Sequence, residues 1–307
     1  MNAHATGSSV YIIAKVRKKM LNKRLKNQEF TIFVLGFNIP KHIKTKRMIS
    51  KAKLKYINAL QTKKGRLAHG TFIAEGPKVV HDLLSAFQPE LIVATEQWLE
   101  RHEDEILKGN QGDKLPQIIA VSSDELQKIS LLQHPQEVLA VFEQRHMPAH
   151  IDPTHELVLA LDGIQDPGNL GTIIRIADWF GIRNVICSED TADVYNPKVV
   201  QATMGSIAHV DVTYLNLCEF VDALPPSTPV YGTLLDGRDI YQQTLTATGI
   251  IIMGNEGNGI SKDLRARVNH PLLIPNFSTL PDKAESLNVA IATAIACSEF
   301  KRRTKTT

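Results

Sequence analysis

Residues 249–261 read GIIIMGNEGNGIS, an apolar run that ends abruptly in a loop of glycine, asparagine and glutamate. A short apolar run bounded by glycines is typical of a buried strand. The loop after it could cradle a phosphate with its backbone N–H groups, or it could be a tight turn in which glycine and asparagine supply positive φ. A Walker-type phosphate loop has Lys and then Ser or Thr after its last glycine, but Ile260 follows Gly259. The sequence therefore disfavours the phosphate interpretation and leaves the turn open.

The second half of the chain alternates apolar runs with helical stretches. The predicted strands are ELVLALDG (156–163), NVICSE (184–189), HVDVTYL (209–215), VYGTLLDG (230–237), GIIIMGNE (249–256) and PLLIPN (271–276). The predicted helices are NLGTIIRIADWFG (169–181), NPKVVQATMG (196–205), CEFVDAL (218–224), SKDLRARV (261–268) and ESLNVAIATAIACSEFKRR (285–303). This alternation predicts an α/β fold with a largely parallel sheet and helices on both faces. Ligands of such sheets bind beyond the carboxyl ends of the strands.

The first half predicts a separate small α/β domain at residues 48–145. The predicted helices are 51–60, PKVVHDLLSAF (77–87) and SSDELQKI (122–129), and the predicted strands lie in TFIAEG (71–76), ELIVAT (90–95), QIIAVS (117–122) and VLAVFEQ (138–144). GRLAHG (65–70) is expected to be a turn. Prolines at 148 and 153 indicate a linker at 146–155, which leaves 156–307 as the second domain.

The charge of the chain is distributed unevenly. Residues 1–47 hold eleven Lys or Arg and one acid, Glu29, whereas residues 48–307 hold 24 basic and 31 acidic residues, a net charge of about −7. The basic extension is expected to be disordered. It could be a binding arm, a targeting peptide or a consequence of start-site choice. An RNA contact in the folded part would have to be a local patch.

Several classes of protein are disfavoured by the sequence. The longest apolar runs are too short to span a bilayer. Cys187, Cys218 and Cys297 are odd in number and lack metal-type spacing, which fits a reducing, cytoplasmic environment. The histidines at 146, 150 and 155 lie in the predicted linker without helical pairing. No metal site is expected.

Three loops at predicted strand ends or helix starts carry unusual residues. They are LDGIQDPGNLGTIIRIADWFG (161–181), MGNEGNGIS (253–261) and ESLNVAIATAIA (285–296). Each has an ordinary interpretation when taken alone, because Asp, Asn and Ser are common N-caps, glycines make turns and Arg175 could pair with a surface acid. Their combination is what argues for function.

In this order and spacing, the patterns D-P-x-N-x-G-x-x-x-R, G-N-E-G and S-L-N-V resemble the three motifs of the SpoU/TrmH-type RNA ribose 2′-O-methyltransferases of the SPOUT superfamily. The resemblance covers about residues 157–303. The first half resembles the substrate-binding domain of many such enzymes through Lys53, Arg66 and FIAEG (72–76). The family implies S-adenosylmethionine (AdoMet) as cofactor, a homodimer with active sites at the subunit interface and a C-terminal trefoil knot.

The resemblance also assigns roles to individual residues. The implied catalytic residues are Asn169, Arg175, Glu256, Ser286 and Asn288. The implied cofactor-binding residues are Thr233, Leu235, Gly254, Asn255, Gly257, Ile274 and Leu287. The implied RNA-binding residues are Lys53, Arg66 and Glu75. One departure is the segment NFSTLPDKAE (276–285), which is longer than the usual one and leaves the cofactor lid open to question.

The resulting prediction is methyl transfer to a ribose 2′-hydroxyl in structured RNA, with ribosomal RNA favoured over transfer RNA by analogy. Two alternatives stay open. A non-catalytic RNA-binding protein could retain the fold, although the intact motif residues argue against it. A nucleotide-binding oxidoreductase could share the α/β layout, although no GxGxxG pattern follows an early strand.

Overall fold

The protein is described by a computed structural model for residues 49–108, 116–145, 150–280, 282 and 284–304. The basic extension 1–47, with its expected disorder, lies outside these residues. Residues 146–149 of the predicted linker also lie outside them.

The first sheet is mixed and has four strands. Its strands are β1 (Thr71–Glu75), β2 (Pro89–Ala94), β3 (Gln117–Ala120) and β4 (Val138–Glu143), in the order β1-β4-β2-β3. Its helices are α1 (Lys51–Ala59), α2 (Lys63–His69), α3 (Pro77–Leu84), α4 (Glu96–Lys108) and α5 (Ser123–Gln127). β4 runs antiparallel to β1 and β2, while β2 and β3 are parallel. The antiparallel strand β4 therefore lies between two strands that precede it in the chain.

Helix α2 corrects the prediction of a turn at 65–70. The Thr62 hydroxyl accepts a hydrogen bond from the Gly65 N–H, which caps the start of the helix. Gly70 ends it in the left-handed region, with φ +64. The glycine that indicated a turn is thus the C-cap of a short helix.

The second sheet has six strands, and every pairing in it is parallel. Its strands are β5 (Leu157–Asp162), β6 (Asn184–Cys187), β7 (Asp211–Tyr214), β8 (Val230–Asp239), β9 (Gly249–Gly254) and β10 (His270–Leu273), in the order β10-β8-β9-β5-β6-β7. Its helices are α6 (Pro167–Trp179), α7 (Pro197–Thr203), α8 (Leu217–Asp222), α9 (Lys262–Arg265) and α10 (Val289–Thr304), with short 3-10 turns at Ser206–Ala208 and Ile240–Gln242. The prediction of a parallel α/β sheet is confirmed.

Side-chain alternation in β5 shows that helices cover both faces of this sheet. Leu159 packs on one side with residues of α6, α7 and α10. Val158 and Ala160 pack on the other side with Leu217 of α8 and Leu264 of α9. Because both faces are buried, the strand is a continuous apolar run.

The first sheet shares its core with the second. The Phe72 ring on β1 lies 4.6 Å from the Tyr195 ring, centroid to centroid. The buried guanidinium of Arg66 donates to Asp193 Oδ2 at 2.6 and 2.9 Å and to the carbonyls of Leu60 and Gln61. Apolar packing and one buried ion pair therefore connect the two sheets across more than 100 residues of sequence.

Two cysteines fill the core as small apolar groups. Cys187 and Cys297 are buried, and burial raises the pKa of both thiols, that of Cys297 to about 12. Cys218 is only half-buried. Within the described ranges, no helix combines the length and apolar character that crossing a membrane requires.

Arg66→Met tests the connection between the sheets. It leaves the Asp193 carboxylate and two carbonyl groups without their donor, so we expect the free energy of unfolding to fall by about 3 kcal/mol. Arg183→Met is the matched control, because Arg183 also pairs with an aspartate, Asp211, but its side chain is 78% exposed. We expect that change to cost less than about 1 kcal/mol in urea unfolding. Equal losses in the two variants would contradict a structural role for Arg66.

Candidate active site

The loop that follows β9 is closed by its own asparagine. The Asn255 side-chain oxygen accepts hydrogen bonds from the N–H groups of Gly257 and Asn258, at 2.9 and 3.0 Å. The Asn255 and Gly259 backbones exchange two further bonds of 2.9 Å. Three successive N–H groups of the loop are thus already bonded. The loop is a turn stabilised by its own hydrogen bonds. These N–H groups are therefore not free to surround a phosphate.

Gly254 permits this turn to fold back against its own strand. A Cβ at position 254 would lie 2.3 Å from the Gly259 carbonyl carbon and the Ile260 nitrogen, which are backbone atoms that cannot swing aside. Gly259 itself has φ +68. Gly254 is therefore required by the close approach of the chain, and Gly259 is favoured by its positive φ.

The end of β5 anchors this turn. The Asp162 carboxylate accepts a hydrogen bond of 2.6 Å from the Ser261 N–H, and the Asn255 amide donates to the Gly163 carbonyl at 2.7 Å. The Gly163 N–H donates to the Ser188 hydroxyl at 2.8 Å. Sequence reasoning did not assign site roles to Asp162, Gly163 and Ser188, although the polar residues directly after two buried strands were a usable signal.

Asn169 joins the first and third motif segments to the glycine loop. Asp166 caps α6 by accepting from the Asn169 N–H at 2.7 Å. The Asn169 amide then donates to Glu256 Oε1 at 2.8 Å, and its oxygen accepts from the Asn288 amide at 2.9 Å. The remaining Asn288 oxygen accepts from the Ala290 and Ile291 N–H groups at the start of α10. Three of the five predicted catalytic residues are therefore in one hydrogen-bonded chain.

Arg175 and Ser286, the other two predicted catalytic residues, are exposed. Arg175 lies on α6 and lines an open cleft of about 400 Å³ with Lys78, Trp179 and Met204. Within the described part of the chain, no hydrogen bond or ion pair holds the Arg175 guanidinium or the Ser286 hydroxyl. Neither side chain is hydrogen-bonded to the chain formed by Asn288, Asn169 and Glu256.

The predicted cofactor residues outside the glycine loop come from neighbouring strand ends. Thr233 on β8 donates to the Ile252 carbonyl of β9 at 3.1 Å. Ile274, directly after β10, is half-buried against the main core. Leu235 and Leu287 are 75% and 51% exposed, so nothing in the described fold covers them. These residues offer apolar surface and backbone groups and no cation.

The segment 276–285, which follows β10, begins with a local turn. The Asn276 amide donates to the Ala284 carbonyl at 3.0 Å, and its oxygen accepts from the Ser278 N–H at 2.9 Å. Phe277 is 81% exposed. Apolar surface therefore continues from the strand ends into this segment.

Two of the three predicted RNA-binding residues are buried. Arg66 is 2% exposed and bonded to Asp193, as described above. Glu75 is 7% exposed and accepts hydrogen bonds from the Ser130 hydroxyl and the Leu131 N–H. Burial raises the pKa of the Glu75 carboxyl, and these two bonds partly offset the effect. Lys53 is half-buried near the Tyr56 ring. Arg66 and Glu75 therefore make their polar contacts inside the protein.

Comparison with known proteins identifies this arrangement. Residues 156–298 match the model of the SpoU rRNA methylase family, and residues 51–140 match an MRM3-like substrate-binding domain. The chain is 35% identical over 247 residues to the 23S rRNA (guanosine(2553)-2′-O)-methyltransferase RlmP of Bacillus subtilis, covering 79% of this chain and 93% of that protein. The protein belongs to the SpoU rRNA methylase family.

Solved structures agree with this assignment. A TrmH-family protein from Porphyromonas gingivalis is 38% identical and superposes with a TM-score of 0.73, covering 83% of this chain and 99% of that one. An AdoMet-bound rRNA methyltransferase from Sinorhizobium meliloti is 31% identical with a TM-score of 0.72, covering 82% and 95%. The similarity extends over both sheets.

Asn255→Ala tests whether the hydrogen bonds of the Asn255 side chain stabilise the turn. The change removes three side-chain hydrogen bonds, each contributing roughly 0.5–1.5 kcal/mol, so we expect a loss of about 2 kcal/mol in urea unfolding. Asn258→Ala, at an exposed position of the same loop, is expected to stay within about 0.5 kcal/mol of the unchanged protein. A similar loss in both variants would contradict the special role of Asn255.

Proposed function

We propose that the protein transfers a methyl group from AdoMet to a ribose 2′-hydroxyl of ribosomal RNA. The observation that carries the proposal is the chain Asn288–Asn169–Glu256, which brings three motif segments together beside the strand ends. Membership of the SpoU rRNA methylase family supports the same chemistry. The relatives named above support ribosomal RNA as the substrate class.

The strand ends fit AdoMet in their chemistry. Leu235, Ile274 and Leu287 offer apolar side chains, and the predicted cofactor set contains no cation, which suits a flat and uncharged adenine. The closed turn at 255–259 presents a fixed edge, because its N–H groups are internally bonded. When bound, AdoMet would supply a methyl group activated by its positively charged sulfur for transfer to the ribose 2′-oxygen.

The main task of the protein is then to position the ribose. Holding two reactants in the reactive geometry can lower a barrier by on the order of 7 kcal/mol. Asn169 and Asn288 have their amides fixed by hydrogen bonds to each other and to Glu256, so this part of the site is organised in advance. Ser286 is exposed two residues before Asn288 and supplies a free hydroxyl to the ribose or the cofactor carboxylate.

Arg175 acts as a charged group. A guanidinium keeps its proton under ordinary protein conditions, so a neutral arginine is an expensive base. The exposed Arg175 grips the phosphate next to the target ribose and stabilises the developing alkoxide, while the 2′-hydroxyl proton leaves through phosphate or water. Direct proton transfer through Arg175 is the less favourable route.

The finer features of the proposal follow the family resemblance. The first sheet, which matches an MRM3-like substrate-binding domain, contacts the RNA by shape and phosphate. The C-terminal end forms a trefoil knot, and two copies pair with their active sites at the interface. The largely exposed Trp179 on α6 and Ile291 on α10 support such pairing, because exposed apolar side chains on these helices need a cover. The enzyme works in the cytoplasm.

The direct test uses labelled AdoMet with unmodified ribosomal and transfer RNA transcripts, followed by digestion to nucleosides. We expect a labelled 2′-O-methylnucleoside from ribosomal RNA. Calorimetry with AdoMet and with NAD distinguishes the alternatives at the level of binding. AdoMet binding without transfer to any RNA would favour the binding-only alternative, and NAD binding would overturn the proposal.

Arg175→Lys tests the role of the exposed arginine. We expect methyl transfer to fall by about 100-fold or more, because an ammonium does not reproduce the two-pronged contact of a guanidinium with phosphate. The melting temperature should not change, because no hydrogen bond or ion pair with the described residues is lost. AdoMet affinity should stay within about 2-fold by calorimetry. Arg183→Lys, on another exposed surface, should keep full activity. A fully active Arg175→Lys variant would remove Arg175 from the mechanism.

A further inference from the structure

Helices α3 and α4 bring together three side chains that could share one metal ion. His81 lies on α3, and His102 and Glu105 lie three residues apart on the same face of α4. One ligand atom of each lies within 4.8 Å of the other two. Ligand atoms around a tetrahedral ion with bonds of about 2.1 Å lie roughly 3.4 Å apart, so closure requires shifts of about 1.5 Å at most. Side-chain rotation alone covers that distance.

His102 is oriented in advance. Its Nδ1 lies 2.9 Å from the Trp98 carbonyl oxygen. A carbonyl can only accept, so Nδ1 carries the proton and the lone pair of a neutral ring is on Nε2. The ring also stacks on the buried Trp98, with centroids 4.4 Å apart and planes 14° apart. A backbone carbonyl that fixes the tautomer of a histidine is the usual outer support of a metal ligand.

His81 and Glu105 complete the set. His81 Nδ1 lies 2.9 Å from Glu105 Oε2, and both side chains are about half exposed. This contact holds His81 and Glu105 together, and the Trp98 contacts hold His102 beside them. Two imidazole nitrogens and one carboxylate oxygen are a donor set that divalent transition ions prefer, whereas calcium and magnesium prefer oxygen alone. We propose that His81, His102 and Glu105 bind a divalent transition-metal ion such as Zn²⁺, with a water molecule as the fourth ligand.

Such an ion would fasten α3 to α4. Helix α3 also contacts the end of α7, a helix of the second half of the chain, because Lys78 donates to the Met204 carbonyl at 2.9 Å. The ion would therefore stabilise a helix that makes this contact. The proposal does not rest on methyl transfer and is tested by binding alone.

The sequence did not indicate this site, and a metal site was not expected. His102 and Glu105 are close in sequence on one helix, but His81 lies more than 20 residues before them on another, and the set matches no common metal motif. Only the packing of α3 on α4 brings them together.

The test uses the full chain after any purification tag has been cleaved off. The protein is first treated with a chelator to remove bound metal. Zn²⁺ is titrated in competition with a chromophoric chelator, and Co²⁺ binding is followed by visible absorption. We expect about one Zn²⁺ ion to bind per chain and to raise the melting temperature of the protein. His81→Gln and Glu105→Gln should each weaken Zn²⁺ binding by about 100-fold or more, at least the effect of losing an outer support. Both side chains are exposed enough that the fold should survive.

His209→Gln is the matched control. His209 Nδ1 lies 3.2 Å from Asp178 Oδ2, a histidine–carboxylate pair of similar exposure that is not part of a three-ligand cluster among the described residues. That variant should bind Zn²⁺ as the unchanged protein does. The proposal is overturned if binding is not saturable, or if the His81 and Glu105 variants bind as tightly as the control, since the ion would then be held elsewhere, for example by a histidine within residues 1–48.

Discussion

The two hydrogen bonds of the Asn169 side chain organise the candidate site. One links α6 to Glu256 in the loop after β9, and the other links α6 to Asn288 at the start of α10. Each bond is worth only about 1 kcal/mol, and Asn169 is half-buried while Glu256 and Asn288 are exposed. The bonds therefore matter less for global stability than for orientation. They fix the relative placement of segments that are far apart in sequence, as a positioning enzyme requires.

The glycine-rich loop and the arginine have separate tasks. Asn255 accepts hydrogen bonds from the N–H groups of Gly257, Asn258 and Gly259, so these three groups are not available to an anion. Recognition of phosphate then falls to cationic side chains. Arg175 is exposed and unbonded among the described residues, while Lys78 in the same cleft is paired with Asp82. This division fits an enzyme that binds an uncharged base at one place and an RNA backbone at another.

Much of the fold could be predicted from the sequence, because the parallel sheet depends on apolar runs and their alternation with helices. The motif spacing also predicted Asn169, Glu256 and Asn288 as site residues, and the structure joins these three side chains by hydrogen bonds. The direction of side chains was not predictable in the first half. Arg66 and Glu75 fit a motif expected to contact RNA, but Arg66 is bonded to Asp193, 127 residues away, and Glu75 is bonded to Ser130 and Leu131. Helix α2 was missed because Gly70 was interpreted as a turn instead of a cap.

We infer that Asn169 and Glu256 act as a unit in positioning the site. A double-mutant cycle on the kcat/KM of methyl transfer, with Asn169→Ala, Glu256→Ala and the double variant, measures their coupling. If the two residues act through their shared hydrogen bond, the double variant should be no slower than the slower single variant. If the two single losses multiply in the double variant, Asn169 and Glu256 act independently, which would contradict a shared positioning role.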